Sequence, residues 1–194
     1  AVHDGAAHVC SGAYEHTLRQ QTQGHDYRAF VVQGRAPQQA LGVSVRAVPG
    51  YRRPADLRGR RIGVSAPGSS TQVMASVLLA RAGVDAREVS FVGVGTGATA
   101  VAALRSGRVH ALCHADPIMS LLEHRSEVRL VSDLRTLTAA QEVFGGAMPA
   151  SCLYAPQAFL HKEPLVAQAL TNAIVRALKW LQTASPADLI KAVP

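Results

Sequence analysis

Residues 61–83 read RIGV, SAPGSST, QVMASVLLARAG. A short apolar run (61–64) predicts a strand. A turn follows with Pro67, Gly68 and three successive hydroxyl residues, Ser69, Ser70 and Thr71, and then an amphipathic run predicts a helix that stops at Gly83. One hydroxyl suffices to cap a helix start, because its oxygen accepts from an N–H that the first turn leaves unpaired. Three hydroxyls and a glycine at the positive end of a helix dipole provide more donors than the helix uses, and an anionic or polar ligand can take the surplus.

The same alternation continues outward. VSFVGVG (89–95) predicts a strand, TGATAVAALRSG (96–107) a helix stopped by Gly107, VHALCHADP (109–117) a strand ending at Pro117, PIMSLLEHRS (117–126) a helix and VRLVSDL (128–134) a strand. Upstream, AAHVCSG (6–12) reads as a strand entering a glycine turn, AYEHTLRQQTQG (13–24) as a helix, and YRAFVVQG (27–34) and ALGVSVRAV (40–48) as strands. PGYRRPADLRGR (49–60) is a connector. Beyond Gly145 and Gly146, SCLYA (151–155) reads as a strand and residues 163–184 as one long amphipathic helix. Short apolar strands alternating with helices predict an α/β fold with a mostly parallel sheet covered on both faces.

The chain has 194 residues and is 48% hydrophobic, enough for one domain or two small lobes, and no apolar run reaches the length of a membrane span. Its net charge of +7 raises a nucleic-acid reading. The distribution speaks against it: Arg52, Arg53, Arg58, Arg60 and Arg61 cluster in one connection and aromatic residues make up only 5%. Cys10, Cys113 and Cys152 are widely spaced among apolar neighbours and read as buried free thiols, with a single disulfide as the alternative. The chain begins inside what reads as a folded element, so a processed product or a fragment is expected.

Ligands of open α/β sheets bind at the carboxyl ends of strands. Four clusters fall there: Ser11 and Gly12; Gly68, Ser69, Ser70 and Thr71; Thr96, Gly97 and Thr99; and His114 with Asp116. Each alone reads equally as a cap or a turn. Their repetition at equivalent positions points to a shared site. Gly95, Gly97 and Ala100 also satisfy G-x-G-x-x-A, with Asp116 as the ribose-binding acid of a dinucleotide site, but no hydride-transfer site follows. No Ser lies in a nucleophile elbow, and His3, His8, His16, His25, His110, His124 and His161 read as surface or satisfied residues. His110 and His114 at even separation lack a third metal ligand.

Residues 52–117 resemble the solute-binding proteins of ABC importers of the nitrate, sulfonate, taurine and bicarbonate group, which includes thiamine-pyrimidine-precursor binders. The matching parts are Asp56 to Val64, Gly68 to Thr71, Ala82 to Asp85, Val92 to Gly95, Ala102 to Ala111, and Asp116 with Pro117. GAAHVCSGAYEHTLRQQTQG upstream and LYAPQAFLHKEPLVAQALTNAIVRALKWLQ downstream match as well. The family's opening strand, helix and second strand have no counterpart, and His110 stands where the family commonly has Asp.

The resemblance implies a type 2 periplasmic binding protein fold of two α/β lobes, each a mostly parallel sheet flanked by helices. Lobe I would hold 1–46 and 150–194 and be incomplete, 47–60 would connect, and lobe II would hold 61–149. It further implies a small anionic or zwitterionic solute captured between the lobes by Ser11, Gly12 and Tyr14 on one side and Gly68, Ser69, Ser70, Thr71, Thr96, Gly97, His114 and Asp116 on the other. Asp116 and His114 would read a cationic or donor end. The partners implied are the solute and a membrane permease, with no catalysis, cofactor, metal or nucleic acid. A monomer in the periplasm is expected, its signal segment outside this chain. The alternatives are an enzyme on the same scaffold, dinucleotide-dependent or similar to pyrimidine-precursor synthases, and a ligand-sensing regulatory domain.

Overall fold

In the computed structural model, residue 2 and residues 4–192 are described; His3 lies outside them. The chain divides into two compact units, residues up to 34 together with those from 149 on, and Arg35–Met148.

The second unit is built on a five-stranded sheet of order β5-β4-β6-β3-β7. Its strands are β3 (Gln39–Ser44), β4 (Arg61–Val64), β5 (Ser90–Gly93), β6 (Ala111–Ala115) and β7 (Val128–Asp133). β4 runs parallel to β5 and β6, whereas β3 is antiparallel to both of its neighbours, β6 and β7. Four strands therefore point one way and β3 points back, so its amino end lies at the edge where β4, β5 and β6 finish. The Gln39↔Ala115 and Ala40↔His114 pairs fix this register.

Alternation along the strands sorts the core into two layers. Leu41, Val43, Ile62, Ala111 and Cys113 face the helix α2 (Ser70–Arg81) with Met74, Ala75, Leu78 and Leu79. Ala40, Leu112 and Val128 face α3 (Ala98–Arg105) and α4 (Ile118–His124) with Val101, Leu104, Met119 and Leu122. Gly42 lets α4 approach: a Cβ there would lie 3.0 Å from the Met119 methyl and 3.1 Å from Val128 Cβ. A further helix, α5 (Leu137–Phe144), is capped by the Thr136 hydroxyl accepting from Ala139 N–H. The apolar pattern did not single it out.

Residues 35–46, expected with the first lobe, and the connector 47–60 lie in the second unit. The cause is pairing: β3 is bonded on both sides within this sheet, and Tyr51 and Leu57 are buried in its core. The basic connector is partly structural, since Arg58 pairs with Glu88 at 2.9 Å and Arg61 donates to the carbonyls of Gly107 and Arg108.

The first unit holds a three-stranded sheet of order β1-β8-β2, from β1 (Cys10–Ala13), β2 (Tyr27–Val32) and β8 (Ser151–Pro156). Both pairings are antiparallel, which corrects the expectation of a mostly parallel sheet in this lobe. β1 and β2 run in the same direction, and β8 lies between them in the opposite sense, so neither neighbouring pair is parallel. Its helices are α1 (Glu15–Thr22), α6 (Gln157–Lys162), α7 (Pro164–Leu181) and α8 (Pro186–Ala192). α7 is the expected amphipathic helix, yet none of its residues is buried, and Leu165 is 84% exposed. No helix among the described residues is long and apolar enough to cross a membrane. All three cysteines are free, with Cys113 and Cys152 buried.

Deleting the Leu41 side chain, fully buried where β3 meets α2, should lower unfolding stability by about 2–5 kcal/mol. Leu165→Ala on α7 should shift it by no more than about 0.5 kcal/mol. Urea midpoints of the two variants check this contrast.

Candidate functional site

The turn between β4 and α2 is held by Thr71. Its Oγ1 accepts from Ser65 N–H at 2.9 Å and lies 3.1 Å from Ser65 Oγ and 2.8 Å from Ser69 Oγ. Thr71 is buried, so the hydroxyls turn inward rather than outward. Ser69, at the N-cap, makes no side-chain cap bond. Ser70 Oγ instead accepts from Gln39 Nε2 at 2.8 Å, and Gly68 N–H donates to Gln72 Oε1 at 2.7 Å. The N–H groups of Ser70 and Thr71 open the helix and find no acceptor among the described residues. The free donors at this helix head are main-chain amides.

β5 leads into α3 beside this turn. Val94 N–H and Gly95 N–H donate to the carbonyls of Val64 and Ser65, continuing the β4–β5 pairing past the strand ends. Gly95 has φ of +76°, and a Cβ there would lie 2.8 Å from Thr99 Oγ1, whose hydroxyl donates to Val94 O at 2.7 Å. Thr96 and Gly97 are exposed, and Gly97 borders a groove of about 770 Å³ lined by Val101, Ala102, Arg105, Ile118 and Leu121. His114, buried on β6, has Nδ1 accepting from Ala115 N–H at 3.0 Å, so its ring proton sits on Nε2 and donates to Gly95 O at 3.0 Å. Gly68, Ser69, Ser70, Thr71, Thr96, Gly97 and His114 thus gather at one end of the sheet, tied across β4, β5 and β6.

Asp116 stands at the head of α4 with a different set of partners. Its Oδ1 accepts from the Ser120 N–H and hydroxyl at 2.9 and 2.8 Å and from Arg135 at 3.3 Å. Arg135 is also bidentate to Asp133 and bonded to Glu123 at 2.7 Å. Partial burial raises the Asp116 pKa, but the Ser120 bonds and the Arg135 charge outweigh it and hold it below the ordinary 3.8. Hydrogen bonding from Arg135 lowers Asp133 in the same way. The ribose-binding acid of a dinucleotide site is therefore already engaged. His110 sits before β6, at the opposite end from His114, and donates no side to a shared metal position: its Nδ1 accepts from Arg61 N–H at 3.0 Å.

In the first unit, Ser11 Oγ donates to Gln33 Oε1 at 3.0 Å. Gly12 faces Tyr154, whose Cε1 would be 3.1 Å from an added Cβ, and Tyr14 opens α1 with its N–H on Ala150 O at 2.8 Å. Two residues escaped the sequence reading. Glu15 and Gln39 are buried, and each leaves its Oε1 without a partner. The phase of β3 carried a signal for Gln39, a polar residue in step with Leu41 and Val43 on the face that packs against α2.

This architecture is that of the periplasmic binding proteins. The chain is similar to the periplasmic aliphatic sulphonate binding protein SsuA of Escherichia coli, with a TM-score of 0.71 and 20% identity over 94% of this chain and 59% of that one. It is likewise similar to the periplasmic nitrate-binding protein NrtA of Synechocystis PCC 6803, with a TM-score of 0.65 and 15% identity over 93% and 49%. A protein of Bordetella bronchiseptica RB50 is 56% identical with a TM-score of 0.96, covering all of this chain, which spans 61% of that protein's length. The family described as NMT1/THI5 like matches residues 1–187, and the chain belongs to it. No curated protein matches.

Carboxylates held low in the folded state stabilise it above their unfolded pKa, and that contribution is lost as pH falls through the folded values. Arg135→Gln should therefore flatten the loss of stability as pH falls below the ordinary aspartate value of 3.8. Urea unfolding of parent and variant across that range measures the difference.

Proposed function

We propose that this protein is the substrate-binding component of an ABC importer, taking a small anionic or zwitterionic organic solute and delivering it to a membrane permease from the periplasm. The observation that carries the reading is the pair of open N–H groups, Ser70 and Thr71, at the head of a twelve-residue helix. Aligned amides with the helix dipole behind them favour a negative group. Membership of the family and the likeness to sulfonate- and nitrate-binding proteins support the same class of solute. Gly68, Ser69, Thr96, Gly97 and His114 shape the surroundings of this anion position. The role requires binding without turnover.

Ser70 is the first helical residue, where proline is tolerated, and Ser69 before it is already extended with ψ of 165°. Ser70→Pro removes the N–H together with the hydroxyl that holds Gln39, and Ser70→Ala, which removes the hydroxyl alone, is the control that isolates the amide. In calorimetric titrations with sulfonates, nitrate, bicarbonate, phthalates and pyrimidines, the parent should bind a small anion, and Ser70→Pro should weaken it about tenfold or more, as expected for a lost charge-assisted bond. Binding of none of these, or unchanged affinity in the variant, would contradict the assignment.

A further inference from the structure

The end of the five-stranded sheet remote from the α2 head gathers positive charge. There β3 finishes at Ser44, β4 begins at Arg61, and α3 closes at Arg105. Arg46 Nη1 donates to Arg105 O at 3.5 Å, and these two arginines line a hollow of about 430 Å³ with Ser44, Ser126 and Glu127. Arg61 donates to the carbonyls of Arg108 and Gly107 at 2.6 and 2.9 Å, and Arg46 and Gly107 border one further small hollow. Hydrogen bonding from Arg105, with the charges of Arg105 and Arg125 behind it, holds the Glu127 carboxyl below its ordinary value. Arg46, Arg60, Arg61, Arg105 and Arg125 therefore share this end, and all but the half-buried Arg60 are exposed.

Their charge is not offset. Glu127, the carboxylate on the larger hollow, is already bidentate to Arg105 at 2.7 and 2.8 Å. Glu88 and Asp85, on the segment before β5, are matched by Arg58 and Arg87. Among the described residues Arg46, Arg60, Arg61 and Arg125 form no ion pair. Arg61 spends its N–H groups on carbonyls instead, and a carbonyl fixes the direction of a guanidinium without cancelling its charge. The field reaches His110, whose pKa is lowered below 6.5 by burial and then by the charges of Arg61 and Arg60. Cations complement helix C-ends, which accounts for Arg105 and Arg125 but not for Arg46, Arg60 and Arg61.

We propose that this end of the second unit docks on an anionic phospholipid bilayer, through a face separate from the solute position at the other end of the sheet. Each arginine near such a surface favours partition roughly fivefold. The arginines come from four separate segments and present points of charge spread over a face, as lipid headgroups do. Val45, 40% exposed, lines the hollow beside Arg46, and an apolar residue among cations suits the headgroup boundary. A nucleic acid is served less well. No aromatic ring lines either hollow for bases to stack on, and α3 and α4 reach this end by their C-termini without a basic stripe to enter a groove. Contact by charge is reversible, and it concentrates the protein where a membrane permease would lie.

The test is co-sedimentation with vesicles of phosphatidylcholine alone and of phosphatidylcholine containing about one-third phosphatidylglycerol, at low and at high salt. The parent should partition onto the anionic vesicles and be released by salt. Arg46→Gln with Arg125→Gln should weaken partition about tenfold or more, whereas Arg19→Gln with Arg176→Gln, which removes the same charge from α1 and α7, should change it by no more than about twofold. Failure of the parent to partition onto anionic vesicles overturns the proposal. So does an equal loss in both double variants, because net charge alone would then be responsible. Binding to phosphatidylcholine alone, or binding indifferent to salt, would assign the contact to exposed apolar residues such as those of α7 and overturn it as well. A duplex oligonucleotide or an acidic peptide that stays bound at a salt concentration stripping the protein from vesicles would make another polyanion the partner. None of these outcomes depends on whether the protein binds a solute.

Discussion

Thr71 contributes one oxygen to three contacts with two residues, Ser65 and Ser69, and the candidate site depends on that arrangement. By taking the Ser65 N–H and the Ser69 hydroxyl inward, it welds the end of β4 to the first turn of α2. Ser65 in turn offers its carbonyl to Gly95 N–H, and the Gly95 carbonyl receives His114 Nε2–H. Helix head and three strand ends become one bonded frame. Buried hydrogen bonds of this kind gain little net energy each, but removing one partner strands the rest, so the frame resists piecemeal loosening. A site that must present fixed amides to a ligand needs such a support, because donors that are held in place before binding incur less ordering cost on binding.

The backward direction of β3 places a fourth group at this edge. Had β3 been parallel to β6, its amino end would lie at the far side of the sheet, and Gln39 would be remote from α2. Antiparallel pairing with Gln39 opposite Ala115 brings it beside Ser70. The same pairing commits residues 35–46 to the second unit, so the unit boundary and the position of Gln39 share one cause.

The strand and helix sequence of residues 61–134 was legible because each element there is a compact apolar run ended by glycine or proline, and local signals of that kind survive into the fold. The three-hydroxyl turn was legible as a helix head. Its inner chemistry was not: composition cannot tell a hydroxyl that faces solvent from one spent on a neighbour six residues back, and Thr71 proves to be the latter. Strand direction was likewise hidden, since alternation along β3 or β8 is the same whichever way the strand runs. Asp116 looked available because a lone carboxylate before proline says nothing of Arg135, nineteen positions on, which reaches it through the fold. α5, α6 and α8 escaped because they are short and their apolar residues do not stand out from their surroundings.

Main-chain amides and side-chain groups divide the work of recognition unequally. An N–H at a helix head donates and cannot accept, and its direction is set by the helix, so Ser70 and Thr71 respond to negative charge and little else. A carboxamide carries both a donor and an acceptor. Here Nε2 donates to the Ser70 hydroxyl, which ties the amino end of β3 to the first turn of α2. Preference for negative charge at a helix head is thus written into the backbone, where substitution can hardly alter it.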